Sequence, residues 1–128
     1  MAKVQLNLKY SFDCDPRDLF LALTKASYLQ NWIAEKVDFN PRSEVYTFHW
    51  SDFSESARIS ESRQNEFLKW EWIGEDRESQ EYVSFRIEDD PEDKYLDLYI
   101  EDFCDDGDQE NYKDGWNRQM GRLERLVN

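Results

Sequence analysis

The chain has 128 residues, enough to bury one sizeable core and too few for two. Its 29 acidic and 16 basic residues leave a net charge of −13, a surface that repels phosphate backbones and anionic headgroups over a Debye length of about 8 Å, which argues against nucleic acid or membrane surfaces as partners. Aromatic residues make up 16% of the chain and include five Trp, apolar area that a disordered chain of similar charge lacks.

Over Lys3 to Phe12, the residues Val4, Leu6, Leu8, Tyr10 and Phe12 recur at period two, which predicts a half-buried first strand. The same stretch lacks the apolar run of roughly seven residues that a secretory signal needs, and no later segment approaches about 20 apolar residues, so a cytoplasmic location is expected. Asp15, Pro16 and Asp18 spell a helix start: a side-chain cap, a pre-set φ, and an acid at the positive end of the helix dipole. A short helix carrying Leu19, Phe20 and Leu23 is expected to follow. Ser27 and Gln30 form a capping-box pattern that predicts a second short helix with Leu29, Trp32 and Ile33 on its apolar side.

Six further strands are expected over Lys36–Asn40, Glu44–Trp50, Glu55–Glu61, Glu66–Trp72, Tyr82–Glu88 and Tyr95–Phe103. They are separated by turn residues at Asn40-Pro41, Ser51-Asp52, Arg63-Gln64-Asn65, Gly74-Glu75-Asp76 and Asp90-Pro91-Glu92-Asp93, the pattern of an antiparallel meander. Val83, Phe85 and Ile87 share one face, as do Leu96, Leu98 and Ile100, while Arg86 and Asp97 take the other. Gly107 and Asp108 then end the sheet and cap a long helix with an apolar stripe of Tyr112, Trp116, Met120, Leu123 and Val127. Gly115 and Gly121 inside it cost about 1 kcal/mol each relative to Ala, which suggests close packing or flexibility there. No repeat or linker divides the chain, so one domain over residues 1–128 is expected.

One strand, two short helices, six strands and a long helix is the order of the START-like, or SRPBCC, superfamily, also called birch-pollen-allergen-like. Leu19-Phe20-Leu21-Ala22-Leu23-Thr24, followed by Leu29 and Trp32, resembles the opening motif of the branch that contains the activator of heat-shock-protein ATPase. Tyr112-Lys113-Asp114-Gly115-Trp116, with Leu123 and Leu126, resembles that branch's closing helix. The chain departs from the pattern at Glu55-Ser56-Ala57-Arg58, where a glycine often precedes the fourth strand. The resemblance implies an α+β helix-grip fold, in which a curved seven-stranded antiparallel sheet is closed by the C-terminal helix. It also implies a cavity between the two that accepts apolar molecules.

The residues permit such a cavity. Tyr46, Phe48 and Trp50 share one strand phase, Leu68, Trp70 and Trp72 share another, and the last helix offers Trp116 and Met120. The same aromatic rings would serve equally to fill the space and leave a solid core. His49, the only histidine, falls on the phase opposite Tyr46, Phe48 and Trp50, away from a catalytic position. Cys14 and Cys104 are isolated and read as ordinary reduced thiols. Asp102, Asp105, Asp106 and Asp108 around Gly107 fail the EF-hand spacing, with Cys104 and Lys113 where the third and twelfth ligands belong. They read as a solvated acidic turn, as do Asp89, Asp90, Glu92 and Asp93. No metal or cofactor is expected.

The leading expectation is a non-enzymatic module that binds a small hydrophobic or lipid-like molecule, walled by Phe48, Trp50, Trp70, Trp72, Trp116 and Met120. Its rival is a protein-interaction or co-chaperone-like domain whose acidic surface steers a basic partner. A cyclase-like or dehydratase-like enzyme is the third reading, weakened by the lack of an acid-base pair.

Overall fold

The structure is a computed structural model that describes residues 3–74, 82–89, 91–92 and 94–127. Strand β1 (Lys3–Phe12) has the expected alternation, with Val4 through Phe12 turned inward at every second position. Helix α1 (Pro16–Thr24) starts where its cap dictates, the Asp15 carboxylate accepting the Arg17 N–H at 2.9 Å. Leu19, Ala22 and Leu23 form its buried stripe.

Helix α2 (Ala26–Leu29) departs from the expected capping box. Lys25 ends α1, donating its N–H to the Leu21 carbonyl at 2.9 Å, and is at the same time the N-cap of α2. With only Lys25 between the helices, Ser27 falls inside α2, and its carbonyl accepts from Asn31 Nδ2 at 3.0 Å. Gln30 instead turns its Oε1 toward the Val37 N–H at 3.5 Å. Trp32 and Ile33 follow in turns beyond α2 and are buried all the same.

The remaining elements are β2 (Lys36–Asn40), β3 (Val45–His49), β4 (Ser54–Arg63), β5 (Phe67–Ile73), β6 (Tyr82–Asp89), β7 (Leu96–Asp105) and α3 (Gln109–Val127). All seven strands form one antiparallel sheet in the order β1-β7-β6-β5-β4-β3-β2, so the last strand returns beside the first. This is the α+β helix-grip arrangement. Asn40 makes the β2–β3 turn by accepting the Arg42 N–H at 2.9 Å, and Asn65 reverses the chain between β4 and β5 at φ 65°. The turns expected at Gly74-Glu75-Asp76 and Asp90-Pro91-Glu92-Asp93 include Glu75, Asp76, Asp90 and Asp93, which lie outside the described residues.

Register builds the core in rows across the inner face. Leu68 faces Phe85, Phe85 faces Ile100, and Ile100 faces Leu8; a second row joins Ile59, Trp70 and Val83. Each such side chain removed from water contributes about 1.5–3 kcal/mol. A bulge between Ile59 and Glu61 breaks this pattern in β4, and Glu61 through Arg63 are exposed beyond it. The outer face carries cations over rings: Arg86 lies 4.7 Å from the Tyr99 centroid and Lys69 lies 4.3 Å from that of Tyr82.

Strand β7 runs two residues past its expected end and pairs Asp105 with Lys3. Its inward side is thus Leu96, Leu98, Ile100, Asp102 and Cys104, an acid among apolar residues. Gly107, at φ 94°, turns the chain into α3, where Asp108 takes the cap position by accepting the Tyr112 N–H at 3.2 Å. Helix α3 lays Trp116, Met120 and Leu123 onto the core. Tyr112, expected in that stripe, is 38% exposed. The close-packing role expected for the helix glycines is absent at Gly121, where an added Cβ would meet nothing within 4 Å, and at Gly115, where it would meet only Arg118 Nη2 at 3.9 Å.

Candidate functional site

A cavity of about 370 Å³ opens between the first half of α3 and the end of the sheet that carries the β3–β4 hairpin. Trp50 and Phe53 approach it from that hairpin, Trp70 and Trp72 from β5, and Trp116 from α3. Strand geometry explains the wall: Trp70 and Trp72 stand two residues apart on the inward phase of β5.

Of the six residues expected to wall a site, Trp50, Trp70, Trp72 and Trp116 border this cavity. Phe48 and Met120 do not. Phe48 is 0% exposed, with its ring centroid 5.3 Å from Trp70, 5.8 Å from Tyr46 and 5.9 Å from Trp72, and the surrounding rings fill the space a ligand would need. Met120 is one turn beyond Trp116 and 3% exposed, part of the packed core. The two readings of the aromatic residues thus both hold, at different depths: solid packing behind, open space in front.

The indole N–H groups are disposed differently. Trp50 Nε1 donates to the Ile33 carbonyl at 2.9 Å, and Trp116 Nε1 donates to Asp102 Oδ2 at 2.9 Å. Trp70 Nε1 is buried with no hydrogen-bond partner, its ring held among Tyr46, Phe48 and Phe85 at 5.7, 5.3 and 5.0 Å between centroids. Leaving it unpaired costs about 1–3 kcal/mol, which aromatic burial must offset.

Asp102 corrects the expected solvated acidic turn. It is 8% exposed, lines the cavity, and accepts the Phe103 N–H on Oδ1 at 2.7 Å as well as the Trp116 N–H on Oδ2. The reason is its place on β7, where it follows Leu98 and Ile100 on the inward phase. Asp105, Asp106 and Asp108 lie beyond or at the strand end, engaged with Lys3, Gln109 and Asn111. Among the described residues no group of three or more His, Cys, Asp or Glu is placed to hold a metal ion. Glu55, half-buried on β4, is a second wall carboxylate that sequence reasoning missed. Both had a signal in the sequence: Asp102 continues the Leu96-Leu98-Ile100 alternation, and Glu55 shares the phase of Ala57 and Ile59 on β4.

Candidate reactive groups stand elsewhere or are quiet. The side chain of His49 is 38% exposed on the outer phase of β3, with Nε2 2.9 Å from Asp38 Oδ2, and it does not line the cavity. Burial, then Asp18, Asp15 and Asp13, push the Cys14 thiol up to about 11, so at neutral pH it is not a thiolate. Burial likewise raises Tyr112 at the cavity rim, with the Asp102 charge adding to it, which keeps the phenol protonated. A second hollow of about 430 Å³ adjoins the first, sharing Ile33, Trp50, Gly115 and Gln119, with Arg118 and Arg122 on its outer side.

Residues 1–128 match the family model described as a START-like superfamily domain. The chain belongs to the START-like superfamily. Solved structures with this START-like fold include the Aha1 dimer from Colwellia psychrerythraea, 14% identical over 97% of this chain and 96% of that one, with a TM-score of 0.82. Protein MLL2253 from Mesorhizobium loti is 20% identical over 96% of each chain, with a TM-score of 0.78. DynU16, described as a protein in the dynemicin biosynthetic locus, is 16% identical over 94% of this chain and 46% of that one, with a TM-score of 0.75. No curated protein matches this START-like chain in sequence. Among the described residues no helix is long and apolar enough to cross a membrane.

Proposed function

We propose that the chain is a non-enzymatic binding module that holds a small hydrophobic molecule between the sheet and α3. The observation that carries this reading is the aromatic-walled cavity of about 370 Å³, with Trp50, Trp70, Trp72 and Trp116 around one open space. Apolar surface covered there stabilises a complex by about 25 cal/mol per Å². The position of His49 away from the cavity leaves the enzyme reading without its acid-base candidate. Isolated thiols at Cys14 and Cys104 suit a cytoplasmic setting.

Titration with Nile red, a neutral apolar dye, tests the reading. Saturable one-to-one binding with blue-shifted emission, weakened in Trp72→Ala, is expected. A dye response that never saturates, or that Trp72→Ala leaves unchanged, would sink it.

A second reading, a protein-interaction role, draws support from the net charge of −13 and from the fold-level likeness to a dimeric Aha1. It predicts retention of a cytosolic basic protein that weakens steeply with salt.

A further inference from the structure

We propose that the occupant this cavity favours is a lipophilic organic cation, an ammonium head on an apolar body, over a neutral hydrocarbon or an organic acid. The inference rests on the binding reading above and adds the sign of the ligand's charge. The wall joins two kinds of group that attract a cation withdrawn from water, aromatic faces and carboxylates. Trp72 and Trp116 supply the first, and Glu55 and Asp102 the second.

Trp116 gives its N–H edge to Asp102, so what it has left for a ligand is π surface, whereas Trp50 donates to the Ile33 carbonyl and is stacked on Phe53 at 4.9 Å and on Phe48 at 6.0 Å between centroids. Donation to a carboxylate also pushes electron density into the Trp116 ring, which strengthens the pull of its face on a cation. Asp102, at 8% exposure, acts through a medium that screens less than bulk water. Among the described residues the only basic side chain on this wall is Lys3, and its ammonium lies 3.3 Å from Asp105. Arg118 and Arg122 belong to the adjoining outer hollow and are exposed, Arg122 donating to the Trp32 carbonyl at 3.4 Å. An organic acid entering the aromatic end would set its charge against Asp102 and Glu55.

Three probes of similar shape decide the matter: benzyltrimethylammonium, its uncharged carbon analogue neopentylbenzene, and 3-phenylpropionate. Each is titrated into the full chain and followed by the shifts of the Trp indole N–H resonances. Benzyltrimethylammonium is expected to bind about tenfold tighter than neopentylbenzene. Glu55→Gln should cut the cation's affinity several-fold and leave that of neopentylbenzene unchanged. Trp72→Leu, which keeps apolar surface and removes the π face, should narrow the same preference. Glu124→Gln, remote from the cavity, should change neither, which separates the site from the general pull of an acidic protein. Equal or tighter binding of either other probe, or an equal loss in Glu124→Gln, overturns the cation preference and leaves the apolar-cavity reading standing. Failure of all three to bind overturns both.

Discussion

The Trp116 indole N–H donates to the Asp102 carboxylate at 2.9 Å, joining α3 to β7 beneath the surface. A buried carboxylate is costly unless donors surround it, and here Phe103 N and Trp116 Nε1 each contribute one. The bond lies at the cavity, which both residues line.

Asp102→Leu should therefore lose about 1–3 kcal/mol, because it strands the Trp116 N–H without an acceptor. Trp116→Phe strands the carboxylate instead, and the double variant should lose less than the two single losses added. Urea denaturation followed by circular dichroism checks this, and strictly additive losses would show the bond to be incidental.

Phe48 and Trp72 should separate core from wall. Phe48 is enclosed by Tyr46, Trp70 and Trp72, so Phe48→Ala is expected to cost about 3–5 kcal/mol in the same unfolding assay. Trp72 is only partly buried, and Trp72→Ala should cost clearly less while removing most Nile red binding. The reverse ranking would mean that Trp72 is structural and the cavity is not its role.

Two glycines should respond in opposite senses. Gly121 sits inside α3 with open space where a Cβ would go, so Gly121→Ala should raise stability by about 0.5–1 kcal/mol. Gly107 holds φ 94°, which L side chains rarely adopt, so Gly107→Ala should lower stability by about 1 kcal/mol or more despite equal room. Thermal unfolding distinguishes the two, and a stabilising Gly107→Ala would contradict the turn geometry.

Cys14 should alkylate slowly at neutral pH, its rate climbing with thiolate until about pH 11. The folded value lies above the ordinary 9.0, so the folded state holds this proton more tightly than the unfolded chain. Its stabilising contribution is complete below 9 and is lost as pH rises through about 11. Iodoacetamide kinetics against pH, read by mass spectrometry, check the rate; a midpoint at or below the ordinary value would refute the shift.

Much of the architecture was determined by the sequence alone, because it is written in short-range periodicity and in caps. The alternation from Val4 to Phe12 needs only the pleat of a strand, and Asp15-Pro16 needs only one helical turn. The resemblance carried by Leu19 through Thr24 and by Tyr112 through Trp116 supplied the order in which these pieces assemble. Even the burial of Asp102 was written there, as an acid on the phase of Leu98 and Ile100 within the expected strand, and was obscured by grouping it with the acids around Gly107.

Only the tertiary structure decided depth. Periodicity assigns Phe48 and Trp72 each to an inward face, yet says nothing of how far the opposing layer stands from it. Phe48 meets four rings, those of Tyr46, Trp50, Trp70 and Trp72, and is sealed; Trp72 is only partly buried and borders the cavity. Met120 and Trp116 divide in the same way along α3, one turn apart. The merging of α1 and α2 at Lys25, which removed the place for a Ser27 cap, is likewise a matter of how the chain must turn to reach β2. Local pattern sets which way a side chain faces, whereas the contents of the space in front of it depend on residues distant in the chain, brought there by the register of seven strands and one helix.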